Sequence, residues 1–269
     1  MARARVNGID MNYRVNGEGP TLVLAHGLMG GMASMAMLGD VSDLLWDSFR
    51  VVNYDARGHG ESGYTTEPAG YTWTALANDM YHLMLHLGIE RAHVGGGSMG
   101  AGTSIVFALD HPEMVEKLVL IAPPPMLPES FATAKPVFDG LAMLVERDGL
   151  EAAVKVAVGL PPISDYRETD PERFEWMRQW LLSQNAVSLV PAIRGVIDGP
   201  PVPYERFPEI EAPTLIVAHE GDAIHPISSA RLAEETIRGS RLVTAPDPLY
   251  WGLHREELAE TIRGFLNGS

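Results

Sequence analysis

The sequence contains no cysteine, which excludes disulfide bonds and thiolate chemistry. Basic residues are few, because Asp and Glu outnumber Lys and Arg by 35 to 20. The formal net charge of -15 repels nucleic-acid phosphates and anionic lipid, so we expect neither as a partner. The first residues lack the apolar run of a secretory signal, and no other run approaches the length of a membrane-spanning helix. These absences predict a soluble, cytoplasmic protein.

The sequence does contain short apolar runs that alternate with helical patterns, within 269 residues that can bury a sizeable core. Segment 21–25 is apolar along nearly its whole length, as expected for a strand covered on both faces. Similar runs follow at 50–54, 92–95, 117–121, 214–218 and 241–245. Leu76, Met80, Leu83 and Leu87 recur at helical spacing between two of these runs. The alternation predicts an α/β fold with a mostly parallel sheet flanked by helices.

The alternation stops between the proline-rich segments 123–125 and 200–203. The patterns in this stretch predict several helices, near 131–146, 150–158 and 171–182, and no strands. We therefore predict a core formed by 1–124 and 209–269, with a helical cap, 125–208, over the active site.

The strongest motif is Gly-x-Ser-x-Gly, which centres on Ser98 and lies between a predicted strand and a helical segment. A strained turn at this point requires small neighbours and lifts the serine hydroxyl to the carboxyl edge of the sheet. The amide of Met99 then lies at a helix N-terminus, where it can hold a developing oxyanion. Leu28 follows His26-Gly27 at the end of another strand and is the predicted second oxyanion donor. The pattern predicts that Ser98 is a nucleophile.

The segment Asp55-Ala56-Arg57-Gly58-His59-Gly60 follows the next strand, and with it the chain resembles the α/β-hydrolase superfamily. The resemblance covers all of the sequence except the predicted cap. It implies a serine hydrolase with a catalytic triad in the order serine, acid, histidine. Asp222 matches the position of the acid, just after segment 214–218. His26 and His59 belong to the superfamily's motifs and are interpreted as structural.

The histidine of the triad departs from the superfamily's pattern, because Pro248 stands where Gly-His usually follows the last strand. Only His225 and His254 come after Asp222. His225 is close to the acid in sequence and precedes a proline, so we assign it to the support of the next helix. His254 is the predicted base if the preceding loop folds back over the sheet edge. If the loop does not fold back, His254 starts the last helix in solvent.

The predicted activity is hydrolysis of a small carboxylic ester, lactone or thioester through an acyl-serine intermediate, which is carboxylesterase-type chemistry. Two alternatives remain at this stage. One is a carbon–carbon bond hydrolase or lyase on the same fold, and the other is a non-catalytic binding protein that lacks the late histidine. We expect an apolar acyl substrate. The methionines near Leu28 are typical of an apolar pocket mouth and equally typical of core filling: Met29, Met32, Met35 and Met37.

No motif in the sequence predicts a cofactor or a metal site. His82 and His86 lie four residues apart on one helix face, a spacing that can hold a metal, but no third ligand is evident. The aromatic residues Phe174, Trp176 and Trp180 and the nearby Arg178 lie in the predicted cap, where they are expected either to line the substrate pocket or to pack between helices.

Overall fold

The computed structural model describes residues 1–33 and 41–268. Within these residues eight strands form one sheet in the order β1-β2-β4-β3-β5-β6-β7-β8. From β4 onward in this order each strand is parallel to its neighbour. β2 is antiparallel to both of its neighbours, β1 and β4. The strands are β1 Ala2–Val6, β2 Ile9–Asn16, β3 Thr21–Ala25, β4 Arg50–Tyr54, β5 Ala92–Gly97, β6 Val115–Ile121, β7 Thr214–His219 and β8 Arg241–Ala245. The predicted α/β-hydrolase fold is confirmed, and the sequence patterns missed only the two N-terminal strands.

Helices cover both faces of this sheet and extend beyond it. The helical pattern that begins near Leu76 forms α1, which ends before Gly88, a residue in the left-handed region with φ of 64°. The helices are α1 Trp73–His86, α2 Met99–Asp110, α3 Pro128–Asp148, α4 Leu150–Ala157, α5 Tyr166–Thr169, α6 Pro171–Leu182, α7 Ala186–Asp198, α8 Ile227–Thr236, α9 Tyr250–Leu253 and α10 Arg255–Leu266. In the described ranges, no helix combines the length and apolar character that a membrane crossing requires.

Helices α3 to α7 lie between β6 and β7 in chain order, and we call residues 122–213 the insertion. The three helices predicted there are confirmed as α3, α4 and α6, and the short α5 and the longer α7 are additional helices. The insertion is joined to the rest of the chain at specific points. The indole N–H of Trp180 in α6 donates to the carbonyl oxygen of Met29 at 2.8 Å, and a guanidinium nitrogen of Arg173 donates to the carbonyl of Gly252 at 2.7 Å. The division into core and cap stays a prediction.

The inner strands of the sheet, such as β3, β4 and β7, are buried on both faces because they are apolar at most successive positions. In β3, Val23 and Ala25 pack into one apolar layer, and Leu22 and Leu24 pack into the other. This alternation is the two-residue period of a strand, and it explains why an unbroken apolar run predicted a buried strand. The carboxyl ends of the parallel strands consequently meet at one edge, where the loops after β3, β5 and β7 come together.

Candidate active site

Ser98 occupies a strained turn between β5 and α2, with φ of 53° and ψ of -112°. A non-glycine residue with positive φ is uncommon and persists only where its surroundings fix it. The backbone N–H of Ser98 donates to the carbonyl oxygen of Ile121 in the neighbouring strand at 3.0 Å. A Cβ atom at Gly96 would lie 2.4 Å from the carbonyl oxygen of Ala25, and one at Gly100 would lie 2.1 Å from it. The glycines of the motif therefore allow the turn to lie directly against β3.

The side chain of Ser98 meets an imidazole, and that imidazole belongs to His225. The Ser98 Oγ and the His225 Nε2 are 2.9 Å apart, and the His225 Nδ1 is 2.8 Å from the Oδ2 of Asp222. The carboxylate can only accept, so the Nδ1 of His225 carries the proton and donates it to Asp222. This tautomer leaves Nε2 free to accept the hydroxyl proton of Ser98. The arrangement can withdraw a proton from the serine and hold it.

A tight turn after β7 places the carboxylate and the imidazole next to each other. The backbone N–H groups of Ile224 and His225 donate to the Oδ1 of Asp222 at 2.7 and 3.1 Å. This side-chain-to-backbone bonding turns the chain back on Asp222. The ring of His225 then reaches Oδ2 of the same carboxylate, and Pro226 directs the chain into α8. Three residues of separation along the chain are therefore sufficient for the pair.

A second imidazole contacts the same carboxylate oxygen. His219, the last residue of β7, donates from Nε2 to the Oδ2 of Asp222 at 2.9 Å. Burial raises the pKa of Asp222, but the hydrogen bonds from His219 and His225, the charge of His225 and the Ile224 amide outweigh it and hold that pKa well below its usual range. Asp222 is therefore a carboxylate at neutral pH. The sequence analysis did not single out His219.

The structure does not place His254 next to Ser98, and this corrects the sequence prediction. His254 is an exposed residue at the N-terminal end of α10, and its ring packs against Tyr250 with 4.2 Å between ring centroids. The loop after β8 cannot deliver it, because α9 turns Trp251 into the core, where its indole N–H donates to the carbonyl of Ala218 at 2.9 Å. His225 takes the position predicted for His254. The signal that could have found it is the Asp-x-x-His spacing, in which the turn at Asp222 brings the two side chains together.

The two predicted oxyanion donors belong to segments that approach Ser98. Met99 is the first residue of α2, so its N–H belongs to the helix turn that has no partner within the helix. Leu28 follows Gly27, whose Cα faces Ser98 closely enough that an added Cβ would lie 3.4 Å from the serine Cβ. A turn in which Gly30 N–H donates to the Gly27 carbonyl at 2.9 Å shapes the loop that carries Leu28. The Met99 amide thus starts the helix next to the serine, and the Leu28 amide lies on the loop that borders it.

His26 and His59 hold the loop that follows β4. The Nε2 of His26 accepts the backbone N–H of Ala56 at 2.9 Å, and the Nδ1 of His59 donates to the carbonyl oxygen of Arg57 at 2.8 Å. Burial lowers the pKa of both rings, and the pKa of His59 falls to about 3 because of burial and the neighbouring His26. Asp55 accepts the backbone N–H of Met32 at 2.7 Å and fixes the far end of the Leu28 loop. The neutral, buried rings agree with a structural role.

The other side chains singled out in the sequence lie away from the hydrogen bonds of Ser98. Trp176 and Trp180 stack in parallel with ring centroids 5.7 Å apart, and Phe174 packs against a small apolar cluster of the insertion. Arg178 forms an ion pair with Glu175 at 2.7 Å. Met29 and Met32 lie in the described loop, but Met35 and Met37 lie outside the described residues.

Comparison with known proteins gives the same fold for most of the chain. A family model described as the α/β hydrolase fold matches residues 20–149. The enol-lactonase from Burkholderia xenovorans LB400 superposes with a TM-score of 0.86 at 25% identity, over 99% of this chain and 100% of that one. A thermophilic esterase from Thermogutta terrifontis superposes with a TM-score of 0.81 at 26% identity, over 99% of this chain and 98% of that one.

The sequence comparison extends the likeness to nearly the full length. The RutD protein of Caulobacter sp. (strain K31), whose name assigns it to carbamate hydrolysis, is 30% identical over 274 residues, which cover 92% of this chain and 91% of that protein. With the eight-stranded sheet and the strained serine turn, these matches lead to one conclusion: the chain belongs to the α/β-hydrolase family.

Proposed function

We propose that the protein is a serine hydrolase that cleaves a small carboxylic ester, lactone or thioester through an acyl-serine intermediate. One observation carries this proposal: Ser98, His225 and Asp222 form a continuous line of hydrogen bonds at the carboxyl edge of the sheet. Each member has the partner that its role requires. The serine has a base, the base has an acceptor that fixes its tautomer, and the acceptor is held by two backbone amides.

In the acylation step, the Oγ of Ser98 attacks the carbonyl carbon of the substrate while its proton moves to the Nε2 of His225. The negative charge that develops on the carbonyl oxygen is held by the N–H groups of Leu28 and Met99. Asp222 stabilises the imidazolium and keeps its proton on Nδ1. When the tetrahedral intermediate collapses, His225 passes the proton from Nε2 to the leaving alcohol or thiol.

Deacylation repeats these roles with water as the nucleophile. His225 accepts a proton from a water molecule, which attacks the acyl carbon, and then returns the proton to the Oγ of Ser98. The acid is released and the enzyme is restored. The base is thus required twice in each turnover.

The insertion supplies the proposed cap over this site. Its α6 is bonded through Trp180 to the carbonyl of Met29, the residue next to Leu28, so the proposed oxyanion loop and the cap are in direct contact. The stacked Trp176 and Trp180 lie at this contact with Met29, and their aromatic surface supports an apolar acyl group as substrate. The names of the similar lactonase and esterase support the same class of reaction.

The binding-protein alternative depended on the missing late histidine, and His225 removes that argument because it bonds to both Ser98 and Asp222. The carbon–carbon hydrolase alternative uses the same serine and stays a hypothesis.

The direct test is covalent labelling with a fluorophosphonate probe together with turnover of p-nitrophenyl acetate. The wild-type protein should be labelled on Ser98, and Ser98→Ala should lose both labelling and turnover. Ser104→Ala is the matched control, since Ser104 is a buried serine of α2, the helix that follows Ser98, and its hydroxyl bonds only to the carbonyl of Gly100 in the described structure. It should keep both activities. Labelling of a well-folded Ser98→Ala variant, or retention of most of its turnover, would refute the proposal.

A further inference from the structure

Three side chains of metal-binding type converge at the end of β7, and the proposed reaction uses only two of them. The Nε2 of His219 and the Nδ1 of His225 lie 2.9 and 2.8 Å from the same carboxylate oxygen, Oδ2 of Asp222. One ligand atom from each residue lies within 4.8 Å of those from the other two. The side chain of His219 is 10% exposed, that of His225 is 21% exposed and that of Asp222 is 4% exposed, so the cluster is mostly buried but still reachable from solvent. His219 has no role in proton transfer to or from Ser98.

We propose that His219, Asp222 and His225 form a binding site for a divalent late transition-metal ion such as Zn²⁺, and that occupation of this site switches the hydrolase off. Two imidazole nitrogens and one carboxylate oxygen are a donor set that Zn²⁺ favours. Bonds of about 2.0–2.1 Å in tetrahedral geometry place neighbouring ligand atoms about 3.3 Å apart. The separations from Oδ2 to the two nitrogens therefore need to widen by only about half an ångström.

The position of the ligands in the fold favours a defined site. His219 ends β7, a strand that is buried at every position, and Asp222 is held by the N–H groups of Ile224 and His225 through its other oxygen, Oδ1. Hydrogen bonds of this kind to a coordinating carboxylate orient it and strengthen metal binding. His219 is the decisive residue, because without it the site has only two ligands.

The effect on catalysis follows from the two nitrogens of His225, and this step rests on the proposed function. A metal ion bonded to Nδ1 requires that nitrogen to be unprotonated, so the proton of the neutral ring moves to Nε2. The Nε2 then donates to the Oγ of Ser98 and can no longer accept its proton. His219 likewise remains neutral by carrying its proton on Nδ1. The ion would thus inhibit the enzyme without touching Ser98.

The test is calorimetric titration of the metal-free protein with Zn²⁺ alone, for the wild type, His219→Gln and His86→Gln. The glutamine side chain can still donate a hydrogen bond to Asp222 where His219 does, but it is a poor ligand for Zn²⁺. We expect the wild type to bind one Zn²⁺ per chain at His219, Asp222 and His225. In His219→Gln the Kd for Zn²⁺ should rise at least about tenfold. His86 is an exposed histidine of α1, so its variant should bind like the wild type. Mg²⁺, which prefers oxygen ligands and octahedral geometry, should not compete.

Inhibition is measured in parallel, as p-nitrophenyl acetate turnover relative to each variant's own metal-free rate. Zn²⁺ should inhibit the wild type reversibly, with recovery on addition of EDTA, and the inhibition constant should rise in His219→Gln as Kd does. Equal inhibition of the two proteins would mean that the ion binds at Ser98 and His225 without His219, and it would overturn the proposal. So would the absence of stoichiometric binding by the wild type.

Two further measurements keep the site testable whatever the activity. Calorimetry on Ser98→Ala should give the wild-type Kd for Zn²⁺, because Ser98 is not a proposed ligand. Metal binding is thus measured independently of hydrolysis. If the wild type binds Zn²⁺ but hydrolyses no ester, the proposed function is contradicted and the metal site is supported. If His219→Gln fails to fold, the absorption spectrum of one equivalent of Co²⁺ in the wild type decides. Intense visible bands of tetrahedral Co²⁺ are expected, and the weak spectrum of hydrated Co²⁺ would contradict the site.

Discussion

Replacement of Asp222 by asparagine should prevent His225 from acting as a base, although both His225 and Ser98 remain in place. The Oδ1 of Asp222 accepts two backbone amides and its Oδ2 accepts two imidazole N–H groups. Asparagine has one carbonyl oxygen, so if that oxygen keeps the two amides, its NH₂ group faces His225. Two donors cannot bond to each other, and the ring must move its proton to Nε2. The Nε2 then faces Ser98 as a donor.

The expected loss in the acylation rate is about 10⁴-fold, the scale for a serine enzyme whose histidine is held in the wrong tautomer. This is about 5 kcal/mol of transition-state stabilisation. The fold should survive, because leaving buried donors without an acceptor costs about 1–3 kcal/mol against a total stability of about 5–15 kcal/mol.

The assay is the pre-steady-state burst of p-nitrophenol from p-nitrophenyl acetate, with thermal unfolding measured on the same samples. Glu220→Gln makes the same chemical change two residues away, at a partly exposed carboxylate paired with Arg231 at 3.0 Å. It should keep the wild-type burst rate. A folded Asp222→Asn variant that retains more than a tenth of the rate would show that Asp222 is only a turn residue.

Two further predictions concern the framework of the site. The folded protein lowers the pKa of His59 from 6.5 to about 3, so the stability that the neutral ring contributes is fully present above pH 6.5 and is lost as the pH falls toward 3. At about pH 5 the loss is about 2 kcal/mol. In denaturant melts His59→Asn should therefore lose less stability than the wild type between pH 8 and 5, and an equal loss would contradict the assignment. Gly100→Ala should unfold or severely destabilise the protein, because its Cβ would lie 2.1 Å from the carbonyl oxygen of Ala25. The control Gly140→Ala, with nothing within 4 Å of the new Cβ, should match or exceed wild-type thermal stability. Similar melting temperatures for the two variants would contradict the proposed packing of the turn.

The sequence predicted the parallel part of the sheet well, because its inner strands are buried on both faces and therefore mostly apolar, and the parallel edge strand β8 also keeps a short apolar run. The segments 21–25, 50–54 and 241–245 match β3, β4 and β8 residue for residue. β1 and β2 were missed because they carry exposed polar positions, such as Asp10 of β2, that interrupt the apolar pattern. The strand–turn–helix setting of Ser98 was also readable, because the motif is contiguous in the sequence, although the steric reason for glycine at 96 and 100 is the contact with Ala25 of β3.

The histidine could not be read from the same kind of pattern. In the superfamily's pattern this histidine lies in the loop after β8. Here that loop instead leads into α9, whose Trp251 indole N–H donates to the carbonyl of Ala218 near the end of β7. The proximity of His225 to Asp222 in sequence counted against it, although a turn stabilised by two backbone amides brings the pair into contact. The prediction failed because it assumed that acid and base come from different loops. Side-chain bonding to the backbone decides this, and periodicity carries no information about it.

The central claim is that His225 is the base, and burst kinetics of His225→Asn beside His254→Asn tests it most directly. The two variants make the same substitution at the only two histidines that follow Asp222. Asparagine at 225 can still donate toward Asp222 but offers no Nε2 to Ser98. The account predicts that His225→Asn lowers the acylation rate by about 10⁴-fold or more, while His254→Asn stays within about twofold of the wild type because its ring lies in solvent against Tyr250. A crippled His254→Asn, or a folded His225→Asn with near-wild-type acylation, would contradict it.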